Sequence, residues 1–401
     1  MVKKMDKYDV LKKYYGYDKF RYPQDLIIDS VLNKKDTIAL LPTGFGKSVT
    51  FQIPAIINEG ITIVISPLIA LMADQVNNLK KKGIMAEFLN STLSLNEQND
   101  IYLKLLNNKC KLLYVSAEKL QNEYFISKIK QMNISMVVVD EAHTILWGEG
   151  FREAFIHINE FISMLNPKPV ILALTATATN QTVEKIAYYL DIKGYSLIST
   201  NPDRKNIFYK VINTNNKKNE LLAYLNFHKR KKGIIYCLTR KRVEELSKYL
   251  SDNEIDNVIY HGGLKNEDKM YYQKKFSNDE CGIIVCTNAF GMGIDIPNIR
   301  FVICYDIPQS IEDLSQQIGR AARDGLYAEG IVYFSYKDIG TLDYFIESSD
   351  VEENIKKDLR RKRDNVVDFC LSKKCRHKIL CKYFNEDIDR CLNKCDNCKR
   401  K

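Results

Sequence analysis

The sequence contains no hydrophobic run long enough to cross a membrane. Its longest apolar stretch, residues 61–73, is interrupted by Ser66 and Pro67, whereas a spanning helix needs about 20 apolar residues. The opening MVKKMDKYDV places no apolar run behind its lysines, so we expect neither a secretory signal nor a membrane anchor. Repeats of solenoid period and long disordered tracts are also missing. These absences predict a globular protein of the cytoplasm.

Without export, the 11 cysteines are expected to be free thiols or metal ligands, not disulfides. The charge is unbalanced, with 60 Lys and Arg against 50 Asp and Glu, which gives a net +10. A positive surface favours a polyanionic partner, because binding releases counterions. A lysine-rich solvated surface has the same composition, so charge alone does not identify a nucleic-acid partner.

The chain of 401 residues is too long for one ordinary core, and its 45% hydrophobic content can fill two or three. Short apolar runs alternate with longer amphipathic segments, which is typical of parallel α/β sheets. The first half contains TIALL, ITIVIS, KLLYVS, MVVVD and VILAL, and a second series from Gly233 contains GIIYC, VIYH, GIIVC, FVICYD and GIVYF. We therefore predict two open sheets, divided near residues 201–206, followed by charged helices and a cysteine-dense end.

A phosphate-binding loop is predicted where the first apolar run passes into Pro-Thr-Gly-Phe-Gly-Lys-Ser, residues 42–48. A strand, a glycine loop and a helix in that order direct backbone N–H groups at a phosphate. Lys47 would reach the β- and γ-phosphates and the Ser48 hydroxyl would bind Mg²⁺, with the backbone of Thr43, Gly44 and Gly46 around the phosphates. Leu41 stands where the usual pattern has its first glycine. The alternative is an ordinary strand-to-helix turn with a surface lysine.

Two carboxylates follow the apolar run 137–139, in Asp140-Glu141-Ala142-His143. Ligands of open α/β sheets collect at the carboxyl ends of the strands. Asp140 would hold Mg²⁺, while Glu141 would polarise the water that attacks the γ-phosphate. A solvated helix N-terminus also favours acidic residues, but the two motifs together make that alternative much weaker.

With LALTATA at 172–178, these motifs resemble those of superfamily 2 helicases, in which Thr175 and Ser66 would belong to the path from the nucleotide to the DNA. The second half contributes a glycine-rich segment, 287–295, which ends at Asp295, and Gln316-Gln317-Ile318-Gly319-Arg320-Ala321-Ala322-Arg323. Placed three apart on a helix, Arg320 and Arg323 would share one face and could reach the γ-phosphate from the second lobe. The alternative is a helix whose arginines pair with surface acids.

Three further features resemble RecQ helicases, and the resemblance runs from end to end of the chain. Residues 17–24 are similar to the family's base-recognition motif, which implies that Tyr17 and Arg21 sandwich adenine and Gln24 reads its edge. Residues 147–152 resemble the aromatic-rich loop, which implies DNA contacts by Trp147, Phe151 and Arg152. Glu149 and Gly150 replace the usual His-Asp pair there, so the coupling of DNA binding to hydrolysis is expected to differ. Core aromatics are the alternative explanation for both segments.

The third feature is Cys375-x15-Cys391-x3-Cys395-x2-Cys398, in which the middle spacing is one residue wider than is usual for the family. Four thiolates at such spacing suit a closed, structural Zn²⁺ site. Free buried thiols remain an alternative, and Cys370, Cys381 and His377 lie near enough in sequence to offer other ligands. Other cysteines, at 237, 286 and 304, lie in strand runs and are interpreted as core residues.

The resemblance implies two RecA-like lobes, residues 1–200 and 201–338, and a helical zinc-binding module, residues 339–401. It also implies a monomeric ATP-dependent DNA helicase that moves 3′ to 5′ on single-stranded, forked or branched DNA in repair and recombination, with ATP, Mg²⁺ and Zn²⁺. Single-strand-binding or repair proteins are the expected partners, on the bacterial nucleoid. No residues follow Lys401 for the winged-helix and HRDC domains, so a short form is expected, with its unwinding efficiency left open. The alternatives are an RNA helicase and a zinc-stabilised DNA clamp that binds nucleotide without cycling.

Overall fold

The computed structural model describes residues 5–42, 44–67, 69–90, 93–146, 149–176, 178–229, 231–291 and 296–399. These residues form two compact units, 1–200 and 201–401. Within the described residues, no helix has both the length and the apolar character that a membrane crossing requires. A separate third unit beginning at residue 339 stays a prediction.

The first unit is built on a seven-stranded parallel sheet of order β3-β4-β2-β5-β6-β1-β7. Its inner strands are continuous apolar runs because helices cover both faces of the sheet. The strands are β1 Thr37–Leu40, β2 Ile61–Ile65, β3 Ala86–Leu89, β4 Leu112–Val115, β5 Ile134–Val139, β6 Val170–Thr175 and β7 Ser196–Ser199.

Helices pack on the two faces of this sheet and enclose a separate apolar core on each face. Several begin where the sequence offers a capping side chain, as at Ser94, whose hydroxyl accepts from Glu97 N–H while the Glu97 carboxylate accepts from Ser94 N–H. The helices are α1 Lys7–Tyr15, α2 Gln24–Leu32, α3 Lys47–Ile57, α4 Ile69–Lys81, α5 Leu95–Leu106, α6 Glu123–Ile129, α7 Glu149–Ser163 and α8 Asn180–Tyr189, with 3₁₀ turns at Ala117–Gln121 and Ala142–Leu146.

The second unit contains a six-stranded parallel sheet of order β10-β11-β9-β12-β13-β8. Its strands are β8 Ile207–Asn213, β9 Gly233–Tyr236, β10 Val258–Tyr260, β11 Ile283–Cys286, β12 Phe301–Cys304 and β13 Ala328–Phe334. The helices are α9 Lys217–Phe227, α10 Arg240–Asp252, α11 Asn266–Ser277, α12 Ile311–Ile318, α13 Tyr336–Glu347, α14 Glu353–Leu371, α15 Arg376–Tyr383 and α16 Asp396–Lys399. The predicted fold class, two parallel α/β sheets followed by helices, is confirmed.

The cysteine-rich end, residues 369–398, packs against the second sheet. Phe369 and Leu380 belong to the same apolar core as residues of β8 and β12. At the outer edge of β8, Tyr209 N–H donates to the Lys394 carbonyl at 3.2 Å, and Val211 N–H donates to an Asp396 carboxylate oxygen at 3.0 Å. An open strand edge exposes unpaired backbone groups, so this segment closes an edge that would otherwise face solvent.

Candidate functional site

The predicted phosphate loop, residues 42–48, falls after β1 and includes the start of α3, since Lys47 and Ser48 are the first residues of that helix. Gly44 and Gly46 have φ of 84° and 76°, in the left-handed region that glycine adopts without strain. The first N–H groups of a helix have no partner within it. The loop therefore presents backbone donors and Lys47 at one point, although Thr43 lies outside the described residues.

Arg21 and Gln24, which are predicted to contact adenine, form hydrogen bonds with the phosphate loop. The buried Gln24 amide donates to the Phe45 carbonyl at 2.8 Å and the Gly46 carbonyl at 3.2 Å. The Arg21 guanidinium donates to the Gly44 carbonyl at 3.2 Å. Both residues thus shape the loop itself, a role that the sequence did not indicate, and their contact with the base stays a prediction. The Tyr17 side chain is 58% exposed, as a base-stacking ring would be.

Gly46→Ala is expected to weaken nucleotide binding about tenfold. A Cβ at residue 46 would lie 2.7 Å from the Gln24 amide nitrogen, at a φ of 76°, and the left-handed conformation alone costs an alanine about 1–2 kcal/mol. Calorimetric titration with a non-hydrolysable ATP analogue measures the change. Gly83→Ala is the matched control, since it has the same φ with nothing within 4 Å of its Cβ. Equal affinities of both variants would contradict the structural role of Gly46.

Lys47 and Glu141, 94 residues apart, meet at this loop. The Lys47 Nζ lies 2.9 Å from Glu141 Oε1, and both side chains are about 15% exposed. Asp140 follows β5, and its N–H donates to the Ile65 carbonyl at 2.9 Å. Glu141 has a φ of 51°, an unusual conformation for a residue with a side chain. The sheet therefore brings Lys47 together with the two carboxylates of the acidic motif, and the roles assigned to the three residues stay predictions.

The surroundings of Asp140 disfavour the ionised form of its carboxylate. Burial, and to a smaller extent the neighbouring Glu141 charge, raise the pKa of Asp140 to about 6, although Lys47 acts in the opposite direction. A divalent cation would favour the ionised form of such a group. Carboxylate and hydroxyl oxygens are the hard donors that Mg²⁺ prefers, so Asp140 and Ser48 fit a magnesium ion by their chemistry.

His143 extends this network towards the end of β6. Its Nδ1 lies 2.9 Å from the Thr175 hydroxyl and 3.3 Å from Glu141 Oε2. Thr175 is fully buried and Ser66 is 2% exposed, and their place on the path from the nucleotide to the DNA stays a prediction. Thr175 belongs to a polar chain that begins at Lys47. The sequence showed His143 inside the acidic motif, but nothing in it indicated this bridge.

The predicted aromatic-rich loop is helical where the structure describes it. Residues 149–163 form α7, so Phe151 and Arg152 lie in the first turn of a helix and not in a loop. Their side chains and Trp147 lie outside the described part of the chain, as does Asp295. The DNA contacts assigned to the first three and the cofactor contact assigned to Asp295 stay predictions.

Arg320 and Arg323 do not share a helix face, contrary to the prediction. Helix α12 ends at Ile318, and Arg320 and Arg323 belong to the turn that follows. A helix that runs as far as Arg323 is excluded, because Ala322 takes a left-handed φ of 52°. We call residues 319–323 the arginine segment.

Arg204 binds the backbone of the arginine segment. Its guanidinium donates to the carbonyls of Gly319, Ala321 and Ala322 at 3.1, 2.9 and 3.0 Å. Arg320 is 8% exposed, and a Cβ at Gly291 would lie 3.2 Å from its Nε. The glycine-rich segment therefore lets backbone pass close to this arginine. No role was predicted for Arg204 from the sequence.

The four predicted zinc ligands come together at the cysteine-rich end. The sulfur atoms of Cys375, Cys391, Cys395 and Cys398, the cysteine cluster, all lie within 4.8 Å of one another. Tetrahedral Zn²⁺ with Zn–S bonds of about 2.3 Å requires sulfur separations of about 3.8 Å, so a small contraction around the ion fits this set.

Backbone N–H groups favour the thiolate that a metal needs. Burial alone would raise the pKa of Cys375, but hydrogen bonds from the Lys378 and Cys391 N–H groups, together with the thiols of Cys391 and Cys398, lower it to about 7. The alternative ligands have other contacts: the Cys381 thiol is 3.7 Å from the Asn201 amide oxygen, and both ring nitrogens of His377 have acceptors. Zinc therefore fits the four cysteines and not the alternatives.

Three family models match the chain in succession: DEAD/DEAH box helicase at residues 21–186, helicase conserved C-terminal domain at 216–325 and RecQ zinc-binding at 336–399. The chain is 40% identical to the ATP-dependent DNA helicase RecQ of Bacillus subtilis, over 97% of this chain and 66% of that protein. It is 35% identical to the ATP-dependent DNA helicase RecQ of Synechocystis, over 84% of this chain and 72% of that protein.

Among solved structures, the DEAD-box helicase Mss116 bound to single-stranded RNA and UDP-BeF has a TM-score of 0.70 at 19% identity, covering 90% of this chain and 81% of that one. This likeness shows a common fold. The chain spans slightly less than two thirds of the length of the Bacillus subtilis protein, at 66%.

Proposed function

Because this chain belongs to the RecQ family of helicases, we propose that it couples ATP hydrolysis to 3′-to-5′ movement on single-stranded DNA and separates duplexes during repair and recombination. The observation that carries the proposal is the Lys47–Glu141 contact of 2.9 Å at the phosphate loop. A lysine, two carboxylates and a helix N-terminus at one point form a site for hydrolysing a triphosphate. Such a role would place the protein on the bacterial nucleoid.

In the proposed reaction, Lys47 and the phosphate loop hold the β- and γ-phosphates, and Asp140 with Ser48 holds Mg²⁺. A bound Mg²⁺ would neutralise charge on the phosphate oxygens. Lys47 must leave Glu141 when it turns to the phosphates, which frees the Glu141 carboxylate to accept a proton from the attacking water. The ion pair of 2.9 Å thus keeps both groups at the site until a nucleotide arrives.

Arg320 and Arg323 are proposed to stabilise the negative charge that develops on the γ-phosphate. A guanidinium in that role contributes about 10³–10⁵ to the rate in related reactions. The backbone carbonyls of the arginine segment are held by Arg204 at 2.9–3.1 Å, which supports a fixed placement of the two charges. A preorganised cation stabilises a transition state without reorganising during the step.

The proposed partner is single-stranded and forked DNA. The net charge of +10 supports a phosphate backbone as ligand, and Trp147, Phe151 and Arg152 remain the residues proposed to stack on bases and grip phosphate. The motif Asp-Glu-Ala-His at 140–143 also occurs in RNA helicases, so single-stranded RNA is the second candidate, which the same assay separates from DNA.

A strand-displacement assay on 3′-tailed, 5′-tailed and forked duplexes tests this function. With ATP, we expect separation of 3′-tailed and forked DNA and none of 5′-tailed DNA, and no separation with a non-hydrolysable analogue. ATP turnover with DNA and RNA strands of equal length should rise only with DNA. Displacement of 5′-tailed DNA alone would contradict the polarity, and equal stimulation by RNA would contradict the substrate.

A further inference from the structure

His377 of α15 connects the cysteine cluster to the segment that precedes β8. Its Nδ1 lies 2.5 Å from Asp203 Oδ1, and its Nε2 donates to the Lys394 carbonyl at 3.0 Å. The ring is 1% exposed. His377 follows Cys375 by two residues, and its partner Lys394 directly precedes Cys395. The positions of these two cysteines therefore also fix the His377 ring, which contacts Asp203.

Arg204, which follows Asp203 in the chain, forms hydrogen bonds with the arginine segment. Arg204 donates to three of its carbonyls, at Gly319, Ala321 and Ala322. Asn206 adds a hydrogen bond of 3.0 Å to the Ala322 carbonyl. One side of residues 203–204 is thus attached to the cysteine cluster and the other to the arginine segment.

A second contact joins the same two regions by another route. The Tyr383 hydroxyl, at the end of α15, donates to Glu312 Oε1 at 2.8 Å. Glu312 lies in the first turn of α12, the helix that leads directly into the arginine segment. Both ends of α12 are therefore tied, directly or through Arg204, to the cysteine-rich end.

We infer that the cysteine-rich end positions Arg320 and Arg323 for ATP hydrolysis. One connection runs through His377, Asp203 and Arg204. The other runs through Tyr383 and Glu312. This inference rests on the proposed role of Arg320 and Arg323. Asp203, Arg204, His377 and Tyr383 are positioning residues, since they act on the arginine segment through one another or through α12 and not on the nucleotide. Displacing a charge by about 1 Å can slow a reaction about 10²-fold, so loosening these contacts lowers kcat without a loss of nucleotide affinity.

The test compares single-group changes in the full chain. Asp203→Asn removes the charge facing His377 and keeps the side-chain shape, and we expect about a tenfold fall in the kcat of DNA-stimulated ATP hydrolysis. Tyr383→Phe removes one hydroxyl, and we expect about a threefold fall. For both variants, the KM for ATP, the Kd for single-stranded DNA and the zinc content of one ion per chain should stay at wild-type values.

Tyr224→Phe is the matched control. Tyr224, like Tyr383, is half-buried and donates its hydroxyl to a glutamate of the second unit, Glu329 at 2.6 Å, but it lies on α9, away from the cysteine cluster. Its kcat should equal that of the wild type. A fall of the same size in Tyr224→Phe and Tyr383→Phe would overturn the inference, because general loosening would then explain both.

Measurements on the wild type and on Arg323→Ala separate this inference from the proposed function. If Arg323→Ala loses turnover while Asp203→Asn and Tyr383→Phe retain wild-type kcat, the inference alone is overturned. If the wild type does not hydrolyse ATP, or Arg323→Ala is fully active, the proposed function fails and the inference with it. Should Asp203→Asn not fold, Tyr383→Phe against Tyr224→Phe decides the question.

Discussion

Glu141→Gln is expected to reduce DNA-stimulated ATP turnover by about 10²- to 10⁴-fold, the range that a positioned general base contributes. The amide keeps the size of the side chain but cannot accept the proton of the attacking water. It also removes the charge opposite Lys47, now 2.9 Å away, so Lys47 is freer to bind phosphate. ATP affinity should therefore be unchanged or slightly higher. Turnover is measured by phosphate release at saturating single-stranded DNA, and affinity by calorimetric titration.

Glu87→Gln provides the control for this variant. Glu87 is also a lysine-paired glutamate of the first unit, 2.7 Å from both Lys80 and Lys104, but it lies on the edge strand β3. Its turnover should match that of the wild type. Wild-type turnover in Glu141→Gln would show that this carboxylate is not the base. Lys47→Ala differs from both, because it should lose nucleotide affinity as well as turnover.

Cys395→Ser is expected to remove zinc and to lower the melting temperature of the protein by about 6–12 °C. The substitution leaves three thiolates, and a structural zinc site supplies folding free energy directly. A loss of about 3 kcal/mol in a unit of this size shifts the midpoint by that amount. Cys395 is fully buried and pairs with Tyr209 of β8, so the edge of the second sheet should open with it. Metal analysis and calorimetry measure both effects.

Cys381→Ser makes the same chemical change in the same region. Cys381 is 1% exposed and lies outside the group of four sulfurs. This variant should keep one zinc per chain, although burying a hydroxyl in place of a thiol will destabilise it to some extent. Zinc loss from Cys381→Ser with retention in Cys395→Ser would contradict the ligand assignment.

The sequence predicted the inner strands of both sheets and missed most of the edge strands. β3, β7 and β8 lie at sheet edges and were not among the predicted apolar runs. In β7, half-buried and exposed residues alternate, and none of the four residues is fully buried. A strand that is open to solvent on one side does not need a continuous apolar sequence. The strongest signal in a parallel sheet therefore comes from strands covered on both faces.

The phosphate loop and the acidic motif could be predicted because each is a local pattern with a physical reason for its spacing. The contacts between distant segments could not. Arg204 and His143 act through partners 115–118 and 32 residues away, which no local spacing encodes. The prediction for the arginine segment was wrong for a similar reason, because spacing alone favoured a helix through both arginines. The helix instead ends at Ile318, and Ala322, whose carbonyl accepts from the distant Arg204, is left-handed.

Steady-state ATP turnover of the unmodified protein, with and without saturating single-stranded DNA, tests the central claim most directly. If Lys47, Glu141 and the two arginines act on one triphosphate, hydrolysis should be slow alone and rise at least about tenfold with DNA. A protein that binds both ATP and DNA tightly, yet shows no turnover above the uncatalysed rate in either condition, would instead be a clamp, and the hydrolytic account would be wrong.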